Sequence, residues 1–196
     1  MNLSGVVGRI IGSPAIYKVL QRAFGTQQTL DRLRPLVADT AGQRILDVGA
    51  GTAIARSLLP EPEGYIWLDV DPVKLRGVHS ATGLRAILAD ATRLPLQTGS
   101  IDVALCLAMS HHLSDPQLEA VLTELARVVR HRLVFLDAVV VAHRLRSRLL
   151  WAIDRGRHPR TPAALLAAIE RRFRILSLEE YAVQHRYLLC TATPRV

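Results

Sequence analysis

One short segment, Arg44 to Ala53, constrains this sequence more than any other. An apolar run ends in the acid Asp47, two glycines (Gly49 and Gly51) follow in a loop of small residues, and a helix-compatible stretch comes next. This order predicts a buried strand that turns sharply into a helix. Because glycine has no Cβ, a ligand can approach the main chain closely at such a turn. In open α/β sheets, ligands bind at the carboxyl ends of strands, where this turn lies.

Two glycines in a turn also occur where no ligand binds, so the acids that follow carry more of the argument. Asp69 closes a second apolar run, Tyr65 to Leu68, and lies twenty residues after Gly49. An acid near this spacing, at the end of the next strand, is placed to accept hydrogen bonds from a ribose diol. Asp90 closes a third run. The sequence therefore predicts three carboxylates along one edge of a parallel sheet.

These motifs resemble those of the class I S-adenosylmethionine-dependent methyltransferases, especially the branch that acts on small molecules. The glycine turn is similar to the family's first motif, and Leu68–Pro72 is similar to the second. Ala89–Ala91, followed by Leu94–Leu96, resembles the adenine-binding region. Residues 100–105 resemble the entry to the fourth strand, and residues 122–129 resemble the helix before the fifth.

The resemblance implies an α/β, Rossmann-like fold, with a seven-stranded, mostly parallel sheet, helices on both faces and an antiparallel last strand. It also implies an N-terminal helical cap over residues 1–36 and a methyltransferase core over residues 37–196, with a helical insertion at about 140–160. The first core helix is expected after Thr52 and the fifth strand over Leu133–Leu136. The chain departs from the family pattern at Ala53, where a third glycine is frequent, and at Arg130-His131, where Pro-Gly-Gly is frequent.

Composition favours one globular, cytoplasmic domain. The chain has 196 residues, 49% of them hydrophobic, which suits a single full core. The most apolar run, Leu133 to Ala142, is interrupted by Asp137 and is too short to cross a bilayer. The N-terminus lacks a signal-peptide pattern. Cys106 and Cys190 fall in apolar runs, so we expect buried free thiols.

The net charge of +8 comes almost entirely from arginine and is densest between Arg127 and Arg174. One interpretation is a patch for RNA, an acidic lipid headgroup or an acidic substrate. The interpretation that we favour is a solvated arginine-rich surface. Within this region, Val140 to Asp154 has the pattern of a basic amphipathic helix. Such a helix can cover a substrate, contact a membrane surface peripherally, or pack on the sheet.

By resemblance, the cofactor is S-adenosylmethionine, and several residues acquire roles towards it. Asp47 would orient the glycine turn and the methionine amino group, Asp69 would accept both ribose hydroxyls, and Asp90 would accept from the adenine amino group. The complete set of cofactor-binding residues implied in this way is Asp47, Gly49, Ala50, Gly51, Asp69, Val70, Asp90, Ala91 and Leu107.

Paired histidines, His111 and His112, follow the predicted fourth strand. In the resembling family this loop faces the methyl group, and a histidine there can take a proton from an acceptor hydroxyl. Packing or hydrogen bonding within the turn is the alternative, and the sequence reveals no acid partner for either side chain. No third ligand has a helpful spacing, so no metal is expected. Further candidates on the substrate side are Tyr17, Trp151, Arg157 and His158.

The expected function is methyl transfer to a small-molecule acceptor that is lipid-like, aromatic or anionic, on O, C or N. The region after the fourth strand lacks the Asn/Asp-Pro-Pro-aromatic motif of exocyclic-amine methyltransferases, and there is no Pro-Cys pair for cytosine chemistry. The alternatives are a methyltransferase of RNA or another anionic polymer, and a non-catalytic cofactor-binding scaffold. A nicotinamide dehydrogenase is disfavoured because Ile54 stands where its fingerprint needs a small residue. The oligomeric state stays open.

Overall fold

A computed structural model describes residues 26–51, 53–60, 64–76, 85–140, 151, 158–183 and 185–195. Tyr17, Arg157, the first part of the N-terminal cap and most of the predicted insertion at 140–160 lie outside the described residues.

The described residues form one sheet of seven strands. In chain order they are β1 (Arg44–Val48), β2 (Gly64–Asp69), β3 (Arg85–Leu88), β4 (Ile101–Leu107), β5 (Val129–Val139), β6 (Phe173–Ala182) and β7 (Arg186–Pro194). They lie side by side in the order β3-β2-β1-β4-β5-β7-β6. The pairings from β3 to β5 are parallel, and β7 runs antiparallel to β5 and β6. The predicted fold class is confirmed.

The strand order reverses between β1 and β4, with β2 and β3 on one side and β5 on the other. At such a reversal, the loops that leave neighbouring strands diverge, and a crevice opens outside their carboxyl ends. Strand β1 is held in the core by Ile45, Leu46 and Val48, none of which is exposed to solvent. The glycine turn that follows β1 is therefore fixed at the mouth of this crevice.

Helices cover both faces of the sheet: α1 (Thr26–Val37), α2 (Asp115–Val128) and α3 (Pro162–Glu170). The residues that α2 buries recur every three or four positions and form one apolar stripe: Leu118, Val121, Leu122, Leu125 and Val128. This stripe joins Leu165 and Ile169 of α3 in one core cluster. Leu33 and Val37 of α1 belong to a second cluster, on the opposite face.

Local sequence fixes where α2 and α3 begin. Ser114 precedes α2, and both its backbone N–H and its hydroxyl donate to Oε1 of Gln117 at 2.9 Å. Thr161 precedes α3, and its Oγ1 accepts from the N–H of Ala164 at 3.2 Å. These contacts, and a proline in each first turn, satisfy or remove amide donors that lack partners within the helix.

Two expected elements differ in the structure. In place of the core helix after Thr52 there is a short 3₁₀-helix, Ile54–Leu58, preceded by Ala53 in the left-handed region at φ 55°. Because Ala53 takes a left-handed conformation, a right-handed α-helix cannot run through it from Thr52. The fifth strand is also longer than expected and extends to Val139. As a result, Asp137 lies inside β5 rather than after it.

Cys106 and Cys190 are free and buried, as predicted. Burial raises the pKa of the Cys190 thiol to about 12 and also raises the pKa of Cys106. Both are therefore protonated and unreactive at neutral pH. Within the described part of the chain, no helix combines the length and apolarity that crossing a membrane requires.

Candidate active site

The turn after β1 is fixed by backbone contacts to β2. Gly49 and Gly51 both lie in the left-handed region, at φ 64° and 55°. The Gly49 N–H donates to the Leu68 carbonyl at 2.8 Å, and the Gly51 N–H donates to Oδ2 of Asp69 at 3.0 Å. The turn and the acid at the end of β2 therefore form one hydrogen-bonded unit.

The two glycines meet different surroundings. A Cβ built on Gly49 would lie 2.5 Å from the sulfur of Met109, so this glycine makes room for a side chain of the protein. A Cβ built on Gly51 would meet no atom within 4 Å. Gly51 lines a cavity that lies between the loops leaving the strands. Because no side chain covers its backbone there, a ligand can approach the main chain closely.

Asp69 lies at the carboxyl end of β2 and is only 5% exposed. Besides the contact from Gly51, its Oδ1 accepts the N–H of Asp71 at 2.9 Å. Each carboxylate oxygen can accept two hydrogen bonds, so each oxygen retains capacity for a hydroxyl of a diol. The two backbone contacts orient the carboxylate before any ligand arrives.

Asp90 is exposed, and its Oδ1 accepts the N–H of Thr92 at 2.8 Å. The loop beyond it is held by a pair of charged residues of α2. The guanidinium of Arg127 binds both oxygens of Glu124, at 2.8 and 2.7 Å, and also donates to the carbonyls of Leu94 and Leu96. The loop that follows Asp90 is thereby attached to α2.

A cavity of about 690 Å³ lies between these loops. Its lining includes all but one of the predicted cofactor-binding residues: Gly49, Ala50, Gly51, Asp69, Val70, Asp90, Ala91 and Leu107. Lys74, Met109, His112, Leu113 and Gln117 also line it, and of these the sequence had singled out only His112. The open backbone at Gly51 and the oriented carboxylate of Asp69 fit an adenosine-bearing cofactor.

Asp47, the remaining predicted cofactor residue, lies behind the turn rather than on the cavity wall. It is 2% exposed, and the hydroxyl of Tyr65 donates to its Oδ2 at 2.7 Å. Burial, with a smaller contribution from the charge of Asp69, raises the pKa of Asp47 to about 7, although the Tyr65 hydrogen bond opposes the rise. Asp47 therefore supports the turn from beneath.

Ser110–Leu113, which we call the histidine turn, follows β4 and forms another wall of the cavity. His112 is exposed and lines the cavity, whereas His111 is 8% exposed. The rings of the two histidines are 4.1 Å apart between centroids.

The structure supplies an acid partner for His111 that the sequence did not reveal. Asp137 of β5 accepts from Nδ1 of His111 at 2.5 Å and from the His111 backbone N–H at 3.1 Å. The Ser110 hydroxyl also donates to this carboxylate. Sequence reasoning missed the pair because it ended the fifth strand before Asp137. The signal was an acid within a run of apolar residues, which a buried strand tolerates only when the acid has partners.

The other substrate-side candidates lie around His111 rather than in the cavity. Trp151 is buried, and its ring packs edge-on against His111 with centroids 5.8 Å apart. His158 is exposed, and its backbone N–H donates to the His111 carbonyl at 3.0 Å. His158 lines a separate cavity of about 670 Å³ beside Arg160.

Comparison with known proteins agrees with this geometry. Residues 45–132, just under half of the chain, match a family described as a methyltransferase domain. A fatty-acid O-methyltransferase of Mycolicibacterium smegmatis is 33% identical over 99 residues, which cover 47% of this chain and 35% of that protein. A probable phthiotriol/phenolphthiotriol dimycocerosates methyltransferase of Mycobacterium ulcerans is also 33% identical over 99 residues, covering 47% of this chain and 38% of that protein. The chain thus spans little more than a third of the length of these relatives.

Among solved structures, the magnesium protoporphyrin IX methyltransferase of Synechocystis, with bound S-adenosylhomocysteine, superposes with a TM-score of 0.75 at 16% identity. The match covers 99% of this chain and 96% of that one, and at this identity it is evidence for the fold alone. The chain thus contains a segment that matches a methyltransferase domain, and it shares its fold with a methyltransferase whose structure holds S-adenosylhomocysteine.

Proposed function

We propose that this chain transfers the methyl group of S-adenosylmethionine to a hydroxyl oxygen of a lipid-like small molecule. The observation that carries the proposal is the hydrogen-bonded pair of His111 and Asp137. His111 lies in the histidine turn, and the residue that follows it, His112, lines the cavity. The lipid class is supported by the names of the two curated relatives, each of which this chain matches over part of its length.

Different residues of the cavity would bind different parts of the cofactor. Asp69 would accept from the ribose hydroxyls, Asp90 would accept from the adenine amino group, and the backbone at Gly51 would lie against the methionine portion. When bound, S-adenosylmethionine supplies a methyl group that its positively charged sulfonium has already activated. The apolar side chains of Leu107 and Met109 on the cavity wall would limit the access of water to the reacting atoms.

His111 is suited to remove a proton. Its Nδ1 faces a carboxylate oxygen, which can only accept, so the Nδ1 proton is assigned to that contact and Nε2 carries the lone pair. In the transfer, the hydroxyl proton would move to Nε2 while the oxygen–carbon bond forms and the sulfur–carbon bond breaks. A carboxylate acceptor is already ionised at neutral pH and has no proton to lose. The paired histidine therefore favours a hydroxyl over a carboxyl acceptor.

An RNA or other polyanion is less well supported as the acceptor. Many arginines in the described residues are already bound to acids, in the pairs Arg32–Glu179, Arg127–Glu124, Arg132–Asp39, Arg160–Asp115, Arg172–Glu119 and Arg186–Glu180. Paired guanidiniums attract phosphate less strongly than solvated ones, so the net charge overstates the available basic surface. A cytoplasmic location and peripheral membrane contact stay predictions.

The test compares acceptors that share an alkyl chain and differ in the head group. The chain is incubated with S-adenosylmethionine labelled in the methyl group and with dodecanol, nonylphenol or dodecanoate. We expect labelled methyl ethers, with a rate about 100-fold or more lower in His111→Gln. Methylation of dodecanoate alone, or equal rates in the variant, would contradict the hydroxyl assignment.

A further inference from the structure

We propose that Arg160 is a positioning residue that holds the histidine turn in the geometry that methyl transfer requires. This inference rests on the proposed function, because it assigns to the turn a catalytic histidine. Arg160 itself does not line the cavity that contains Gly51 and Asp69, and it lies on the segment that precedes α3.

The guanidinium of Arg160 binds the two carbonyls that flank the histidines. Its Nη1 donates to the Ser110 carbonyl at 2.8 Å, and its Nη2 donates to the Leu113 carbonyl at 2.7 Å. The side chain is only 9% exposed. Both ends of the histidine turn are thus attached to one planar, rigid group.

The same guanidinium reaches a carboxylate. Nε and Nη2 both donate to Oδ1 of Asp115, at 2.9 and 2.7 Å. The Asp115 side chain is 90% exposed, and exposed ion pairs stabilise little. The contacts to the part-buried carbonyls therefore matter more than the ion pair.

The turn is held from two sides by groups of opposite charge. Asp137 accepts from the donors of the turn: the Ser110 hydroxyl, the His111 amide and Nδ1 of His111. Arg160 donates to the acceptors of the turn. The segments that carry Asp137 and Arg160 are themselves joined, because the N–H of Val140, directly after β5, donates to the Arg160 carbonyl at 2.8 Å. The backbone that carries the His111 ring therefore cannot shift without breaking several contacts.

Lysine cannot reproduce this arrangement. A guanidinium presents donors in a fixed plane and can reach two carbonyls and a carboxylate at once, whereas an ammonium is a single point of contact on a flexible stem. Loss of one or both carbonyl contacts would allow the turn to shift. A small misplacement of a catalytic group is enough to lower the rate strongly.

The experiment compares Arg160→Lys with Arg171→Gln. Arg171 borders the same separate cavity and pairs with Glu119 of α2, but its side chain is 62% exposed and makes no contact with the histidine turn among the described residues. We measure kcat and KM with dodecanol or nonylphenol, whichever the unmodified chain methylates. The affinity for S-adenosylhomocysteine is measured by calorimetry. In Arg160→Lys we expect kcat to fall at least tenfold, with KM and cofactor affinity within about twofold. Arg171→Gln should match the unmodified chain.

Two further readouts separate positioning from general stability. The proton on Nδ1 of His111, which faces Asp137, should give a low-field NMR signal that disappears or moves in Arg160→Lys and persists in Arg171→Gln. In Arg160→Ala, millimolar guanidinium should restore part of kcat, because it can occupy the vacated site. The signal needs no acceptor, so it tests the positioning role even if the proposed acceptor class is wrong.

The proposal is overturned if Arg160→Lys keeps the kcat and the low-field signal of the unmodified chain. It is also overturned if the lost rate follows entirely from lost cofactor affinity. A chain that does not fold in either Arg160 variant would show that the residue is structural, and would overturn the proposal as well.

Discussion

Two buried carboxylates, Asp47 on β1 and Asp137 on β5, lie on either side of β4 and differ in how the fold satisfies them. Their exposures are 2% and 1%. Among the residues that the structure describes, Asp47 accepts one side-chain hydrogen bond, from Tyr65. Asp137 accepts from the Ser110 hydroxyl, from two nitrogens of His111 and from the Ala138 N–H. Equal burial therefore accompanies two different environments: Asp47 supports the glycine turn from beneath, whereas Asp137 orients the side chain of His111.

The two carboxylates differ in their hydrogen bonds because β1 and β5 place them in different surroundings. Asp47 is buried beside neighbouring β2, where the hydroxyl of Tyr65 donates to it. Asp137 faces the histidine turn, where a 3₁₀-helix directs side-chain and backbone donors towards β5. Burial with few donors disfavours the charged form of a carboxyl group. Substitutions at these two sites test the contrast, and those at Asp137 should have the strongest consequences.

Replacing Asp137 should cost the most activity. Asp137→Asn keeps the shape of the side chain but removes an acceptor oxygen and the charge that orients His111. We expect the rate of methyl transfer to fall about 100-fold or more, because the histidine loses its orientation and its preferred tautomer. Single-turnover kinetics measure this, with Asp39→Asn as a control, since Asp39 is an exposed acid paired with Arg132. A rate within about threefold of the unmodified chain would show that Asp137 does not act through His111.

Asp47 should make the stability of the fold depend on pH. Its pKa is raised from 3.8 to about 7, so the folded chain binds the proton more tightly than the unfolded chain. The stabilisation from this proton is complete below about pH 4 and is lost as the pH rises through 7, by up to about 4 kcal/mol. Asp47→Asn should remove this contribution. Urea unfolding at pH 4, 5.5, 7 and 8 measures it, and parallel curves for both proteins would contradict it.

A smaller effect is expected for Tyr65→Phe, which removes the hydrogen bond donated to Asp47. That bond lowers the pKa of Asp47, so its loss should raise this pKa further and move the fall in stability to higher pH. The buried oxygen left without its donor should reduce the free energy of unfolding by about 1–3 kcal/mol at neutral pH. The matched control is Tyr181→Phe, whose hydroxyl instead donates to Thr29. Equal losses in both variants would deny Tyr65 a specific role.

The sequence predicted which residues meet at the cavity because these residues are local to strand ends. Gly51, Asp69 and Asp90 each follow an apolar run directly, so the positions of the strands also gave the positions of the side chains. The fold class followed for the same reason. The structure brings these residues together, and their binding of the cofactor stays a prediction.

The histidine side could be predicted only in part. His111 and His112 were found as a pair, but their partners Asp137 and Arg160 lie 26 and 49 residues beyond His111 in the sequence. No periodicity links a turn to a strand interior or to a segment before a distant helix. The short 3₁₀-helix after Ala53 was missed because apolar spacing does not reveal a left-handed backbone residue.

Calorimetric titration with S-adenosylhomocysteine, on the unmodified chain and on Asp69→Ala, tests most directly whether the cavity at the β1–β4 reversal holds the cofactor. We predict clear binding to the unmodified chain and an affinity about 100-fold lower in the variant, because two charge-assisted hydrogen bonds are lost. Thermal unfolding should show that the variant stays folded. Equal affinity in both proteins, or no binding to the unmodified chain, would contradict this assignment.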